Sequence, residues 1–110
     1  MKQYVVDQLR PEDRRRLQAE LQARFGAPDL GDIYWLPLDA DRLTPLQAAH
    51  HDCHPLCVAL DLGGDRLVCE LLIRTRERMR CDCMGYADSA QRAWILDTLD
   101  GLLADLNIQT

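Results

Sequence analysis

The stretch "LCVALDLGGDRLVCELLIRT", Leu56 to Thr75, decides the fold. Two runs of aliphatic and β-branched residues flank Gly63-Gly64, the pattern of a β-hairpin whose turn glycine makes possible. Pairing Leu62 with Asp65 sets Asp61 against Arg66, Leu60 against Leu67 and Val58 against Cys69. Leucine then meets leucine on one face and acid meets base on the other, so both faces agree on one register.

Downstream, "RMRCDCMGYA" reads as a third strand returning across the turn at Arg76-Glu77-Arg78. Pairing Thr75 with Met79 puts Ile73 beside Cys81 and Leu71 beside Cys83, and a one-residue slip would set Ile73 against Arg80. "DSAQRAWILDTLDGLLADL" follows as a helix opened by Asp88 and Gln91 in a capping-box arrangement. Its stripe is Ile95, Leu99, Leu102, Leu103 and Leu106, which should cover the sheet.

Upstream, "KQYVV" suits a short strand, and "RPEDRRRLQAELQARFG" a helix with Pro11 at its first position and Gly26 as the stop. "GDIYWLPL" reads as another strand, and Thr44-Pro45 opens a short helix that Pro55 ends by about Cys53. The whole is one α+β domain over residues 1–110: a mixed or antiparallel sheet with a C-terminal three-strand meander, covered by an N-terminal and a C-terminal helix. A thioredoxin-like α/β order is the alternative, without the redox CxxC after the first strand, where the chain reads "QLRPED".

Composition bounds the function. A chain of 110 residues, 47% hydrophobic and 28% charged, has enough core to fold without metal or disulfide staples. Thirteen basic against 18 acidic residues give a net charge of −5, which disfavours nucleic acid and anionic membranes as partners. No run reaches the roughly 18 apolar residues of a membrane span, and the N-terminal residues lack the pattern of a secretory signal. The expectation is a cytoplasmic protein whose five cysteines are reduced thiols.

"HHDCHPLC", His50 to Cys57, raises the question of a metal. His50, Cys53, His54 and Cys57 are the candidate ligands of a zinc-binding sensor, or the groups of a thiol-redox sensor, with Cys81 and Cys83 a further source of sulfur. Against this set, Pro55 interrupts the helical turn that His50 and His54 would share. In a regular strand Cys81 and Cys83 would stand roughly 6.5 to 7 Å apart at Cα and face the helices. The cysteines therefore read first as small buried hydrophobes and the histidines as a polar helix end, with Cys57 as the exposed thiol.

No set of residues for nucleophilic catalysis and no phosphate-binding loop is present, and the expectation is a protein that is not an enzyme. Arg74, Arg76, Arg78 and Arg80 alternate around the second hairpin and share one side, and Cys57, Ala59, Val68, Leu72 and Met84 make the outer sheet face unusually apolar. A patch built from Leu72 and Met84 and edged by Arg66, Arg74 and Arg80 suits a protein partner or a second copy of the chain. The alternatives are that the helix over residues 11–25 covers this face, and that the arginines are simply solvated.

Overall fold

The computed structural model describes residues 2–109. It is a two-layer α+β fold: one antiparallel sheet with both long helices on the same face. The elements are β1 (Gln3–Val6), α1 (Pro11–Phe25), β2 (Ile33–Pro37), α2 (Pro45–Ala49), β3 (Leu56–Leu62), β4 (Leu67–Glu70), β5 (Leu72–Thr75), β6 (Gly85–Tyr86) and α3 (Ser89–Asp105). Single 3₁₀ turns span Ala40–Arg42 and His51–Cys53. β3 is the spine, with β2 along one side and β4 and β5 in succession along the other. β1 and β6 lie end to end beyond these, β1 on β4 and β6 on β5.

β4 and β5 are one strand interrupted at Leu71. From Cys69 to Arg74 the strand advances 74 − 69 = 5 residues while its partner β3 advances 60 − 57 = 3, so two extra residues are accommodated. An even insertion leaves the alternation of faces intact. Leu71 still satisfies its backbone, donating its N–H to the Lys2 carbonyl and accepting from Ala87.

The inner face carries Tyr34, Leu36, Val58, Leu60, Leu62, Leu67, Cys69 and Ile73 in one core with Leu17 and Leu21 of α1 and Ile95, Leu99, Leu102 and Leu103 of α3. Four of the five positions expected in the α3 stripe are buried, and Leu106 is half-buried. An ion pair between Arg24 and Asp105, and a hydrogen bond from Arg16 to the Leu106 carbonyl, tie the two helices side by side. α1 therefore does not cover the outer face.

Two registers differ from the expected ones. Leu62 pairs with Leu67 and Leu60 with Cys69, a shift of two residues. Glycines with positive φ occur at Gly26 and Gly31 and not at Gly63 or Gly64, so the two-residue primed turn does not form and residues 63–66 make a longer loop. Because the shift is even, the same side chains remain inside. In the second hairpin Ile73 pairs with Gly85 rather than Cys81. Residues 76–84 leave the sheet as a loop, and this excursion forms the site described next.

Candidate metal centre

Two short segments with strong local signals meet at the open end of the sheet. The first is α2 with its 3₁₀ extension. Thr44 caps α2, its hydroxyl accepting from the Gln47 N–H while the Gln47 side chain accepts from the Thr44 N–H. Pro55 keeps His54 extended, and the chain tightens beforehand into the turn at His51–Cys53, where the Cys53 N–H donates to the His50 carbonyl at 3.0 Å. That turn brings His50 and Cys53, three residues apart, to one side.

The second segment is Cys81-Asp82-Cys83-Met84, a β-turn closed by the Met84 N–H donating to the Cys81 carbonyl at 3.0 Å. A turn, unlike a strand, can aim residues i and i+2 at one point. The strand geometry expected for these cysteines is replaced by a knuckle, and they join His50 and Cys53.

The Nδ1 or Nε2 atom of His50 and the Sγ atoms of Cys53, Cys81 and Cys83 all lie within 4.8 Å of one another. His50 Nδ1 is 3.1 Å from Cys81 Sγ, and Cys53 Sγ is 3.6 Å from Cys81 Sγ. Tetrahedral zinc with Zn–S of about 2.3 Å and Zn–N of about 2.0 Å requires donor separations of about 3.5–3.8 Å. The cluster therefore approximates a Cys3His ligand set.

Polar contacts hold the site from behind. The buried Gln47 side chain donates to the Cys83 carbonyl at 3.1 Å and accepts from Gln91 Nε2 at 2.9 Å. Gln91 also serves in the expected capping box of α3 with Asp88. The capping glutamines of two helices thus meet each other and fix the Cys83 backbone. His54 Nε2 contacts the Gln47 carbonyl at 2.8 Å, which secures the C-terminal end of α2.

Burial divides the thiols. Cys53 and Cys83 are each 2% exposed, whereas Cys81 is half-buried at the rim. Hydrogen bonds from the Cys83 N–H and thiol, then from His50 and Cys53, draw the Cys81 thiol down to about 6. Burial first, and then the neighbouring thiols, push Cys83 up to about 12. The hydrogen bonds that converge on Cys81 Sγ thus favour its thiolate, and burial favours the thiol of Cys83.

Of the four candidate ligands, His50 and Cys53 are brought together. His54 instead bonds the helix end, and Cys57 lies on the other face of the sheet, its thiol 3.7 Å from the Pro55 carbonyl. Cys57 is not the exposed thiol expected; at 3% exposure it is covered on the outer face, with Arg74 as its cross-strand partner. Burial raises its pKa.

The residues of the expected interaction patch separate. Leu72 is half-buried on the outer face, and Arg74 beside it pairs with Glu70 at 3.3 Å. Met84 packs against the core instead, because the turn carrying it has left the sheet. Arg66 stands at the hairpin loop, 3.3 Å from Asp65. Arg80 is exposed on the loop beside Cys81. The arginines do not form one strip: Arg76 lies over the Trp35 ring at 5.2 Å and pairs with Asp29 at 3.2 Å, while Arg78 and Arg80 belong to the loop.

Among the described residues no helix is long and apolar enough to cross a membrane. Comparison of the chain with protein-family models, with curated proteins and with solved structures finds no match.

Proposed function

We propose that this chain is a non-enzymatic zinc-binding domain in which His50, Cys53, Cys81 and Cys83 hold one ion in a closed, structural site. The observation that carries this reading is the convergence of four donors from two segments 28 residues apart, with all four ligand atoms within 4.8 Å. Three thiolates and an imidazole in tetrahedral array favour zinc over the hard cations, which seek oxygen. Four protein ligands leave no position for a reacting water, which suits a staple rather than a catalyst. The reading fits a reducing compartment such as the cytoplasm, where thiols remain free to bind metal.

What the staple holds is the 76–84 loop, pinned to the end of α2 at the edge of the sheet face that carries no helix, where Cys57 and Ala59 are buried by neighbouring side chains. Trp35, Val68 and Leu72 on that face are half-buried and Val5 is 37% exposed, with both long helices on the opposite side. That supports a second, compatible role as a docking module for a protein partner or a second copy. The overall charge of −5 and the pairing of Arg74 and Arg76 with carboxylates disfavour nucleic acid in that place.

Elemental analysis of untagged protein purified without chelator tests the metal reading. One zinc per chain is expected, and it should be lost in the double substitution Cys53→Ser, Cys83→Ser. Zinc absent from the wild-type protein even after incubation with zinc would refute the reading. For the docking role, Leu72→Glu should abolish association while leaving zinc content unchanged.

A further inference from the structure

The four ligands are unequal in one respect that a purely structural site does not require. Of the three thiols, Cys53 and Cys83 are each 2% exposed, whereas Cys81 is half-buried and lines a shallow groove of about 440 Å³ with Met79, Arg80, Asp82 and Met84. The nearest sulfur to it that belongs to another segment is Cys53 Sγ, 3.6 Å away. A disulfide needs about 2.05 Å between sulfurs, a movement of under 2 Å for a residue on an exposed loop. Cys83 is less suited as the partner: one residue separates it from Cys81, so a bond between them would close a small ring, and its backbone is fixed by Gln47.

We propose that Cys81 is the oxidisable ligand of this centre, and that a hydroperoxide joins it to Cys53 in a disulfide that expels the zinc. The proposal rests on the zinc-binding reading above. The Cys81 thiolate attacks the peroxide, forming an S–O bond as the O–O bond breaks, and the departing hydroxide takes a proton to become water. The Cys53 thiolate then attacks the Cys81 sulfur, forming the S–S bond as the S–O bond breaks, and the second hydroxide leaves as water with another proton. In sum, two thiolates, one hydrogen peroxide and two protons give one disulfide and two waters. The sulfurs lose two electrons and the peroxide gains them. His50 and Cys83 remain as ligands, too few to retain the ion. The disulfide replaces the metal as the link between the 76–84 loop and the end of α2, so release of zinc need not free the loop.

The experiment uses the full zinc-loaded chain treated with a small excess of hydrogen peroxide. Zinc release is followed with a metallochromic indicator, and disulfides are mapped by mass spectrometry of unreduced peptides. Release in step with a Cys53–Cys81 disulfide is expected. Brief exposure followed by dimedone should label Cys81 ahead of Cys53 and Cys83. Cys81→His, which keeps four ligands but removes the accessible thiolate, should slow release by roughly tenfold or more. A zinc-loaded wild type that resists peroxide, a disulfide mapped to another pair, or first labelling at another cysteine would overturn this proposal and leave the metal site standing. Failure of the wild type to bind zinc at all would overturn both.

Discussion

At the scale of single residues, spacing and not residue type separates ligand from bystander. His50 and His54 sit four apart beside Cys53, yet only His50 faces the thiols, because the turn at His51–Cys53 rotates His54 onto the Gln47 carbonyl. The two should therefore respond differently to truncation. His50→Ala should weaken zinc binding severely and His54→Ala should retain one zinc per chain, losing about 0.5–1.5 kcal/mol of stability with its hydrogen bond. Competition with a chelating dye measures the first effect, and denaturant unfolding the second. Cys69 gives a separate test, distant from the metal. Burial, and then the Glu70 charge, push its thiol from an ordinary value of 9.0 to about 12. Below pH 9 it is protonated in both folded and unfolded chains and stability does not depend on it. Above that, the unfolded chain releases the proton that the folded chain keeps, so stability falls as pH rises toward about 12. The slope should be up to about 1.4 kcal/mol per pH unit, and Cys69→Ala should make the alkaline decline of the unfolding midpoint shallower by that amount.

At the scale of elements, much of the fold is legible in the sequence because it rests on short-range signals. Pro11 and Gly26 bound α1, Asp88 and Gln91 open α3, and alternation assigns the inner face of β3 and β4. The registers are less legible. The Gly63-Gly64 turn could close with two or four loop residues at equal apolar match, since a shift of two leaves every side chain on its own face. The metal knuckle was hidden for a related reason. "RCDCMG" matches a strand by alternation, and what overrides that pattern is the convergence of its thiols with His50 and Cys53, a contact between distant segments. The signal in the sequence is HxxC followed by CxC, and it overlaps the competing spacing His50-x₃-His54. The capping glutamines show how local devices come to serve the site: Gln47→Ala should leave the buried Cys83 carbonyl without its partner, costing about 1–3 kcal/mol in denaturant unfolding.

At the scale of the whole molecule, the core and the metal centre are separable. Leu60, Ile95 and Leu99 are at most 1% exposed in a core that spans both layers, large enough to sustain the fold without the ion. Leu99→Ala should cost about 2–5 kcal/mol with zinc present or absent. Chelation should lower the melting temperature while preserving the far-ultraviolet spectrum of helix and sheet, because the ion binds a loop rather than building the core. The central claim is that His50, Cys53, Cys81 and Cys83 make one tetrahedral Cys3His site. X-ray absorption at the zinc edge on the loaded protein tests it most directly. A first shell of three sulfurs at about 2.3 Å and one nitrogen at about 2.0 Å is predicted; a shell made of oxygen, or one with fewer than three sulfurs, would contradict it.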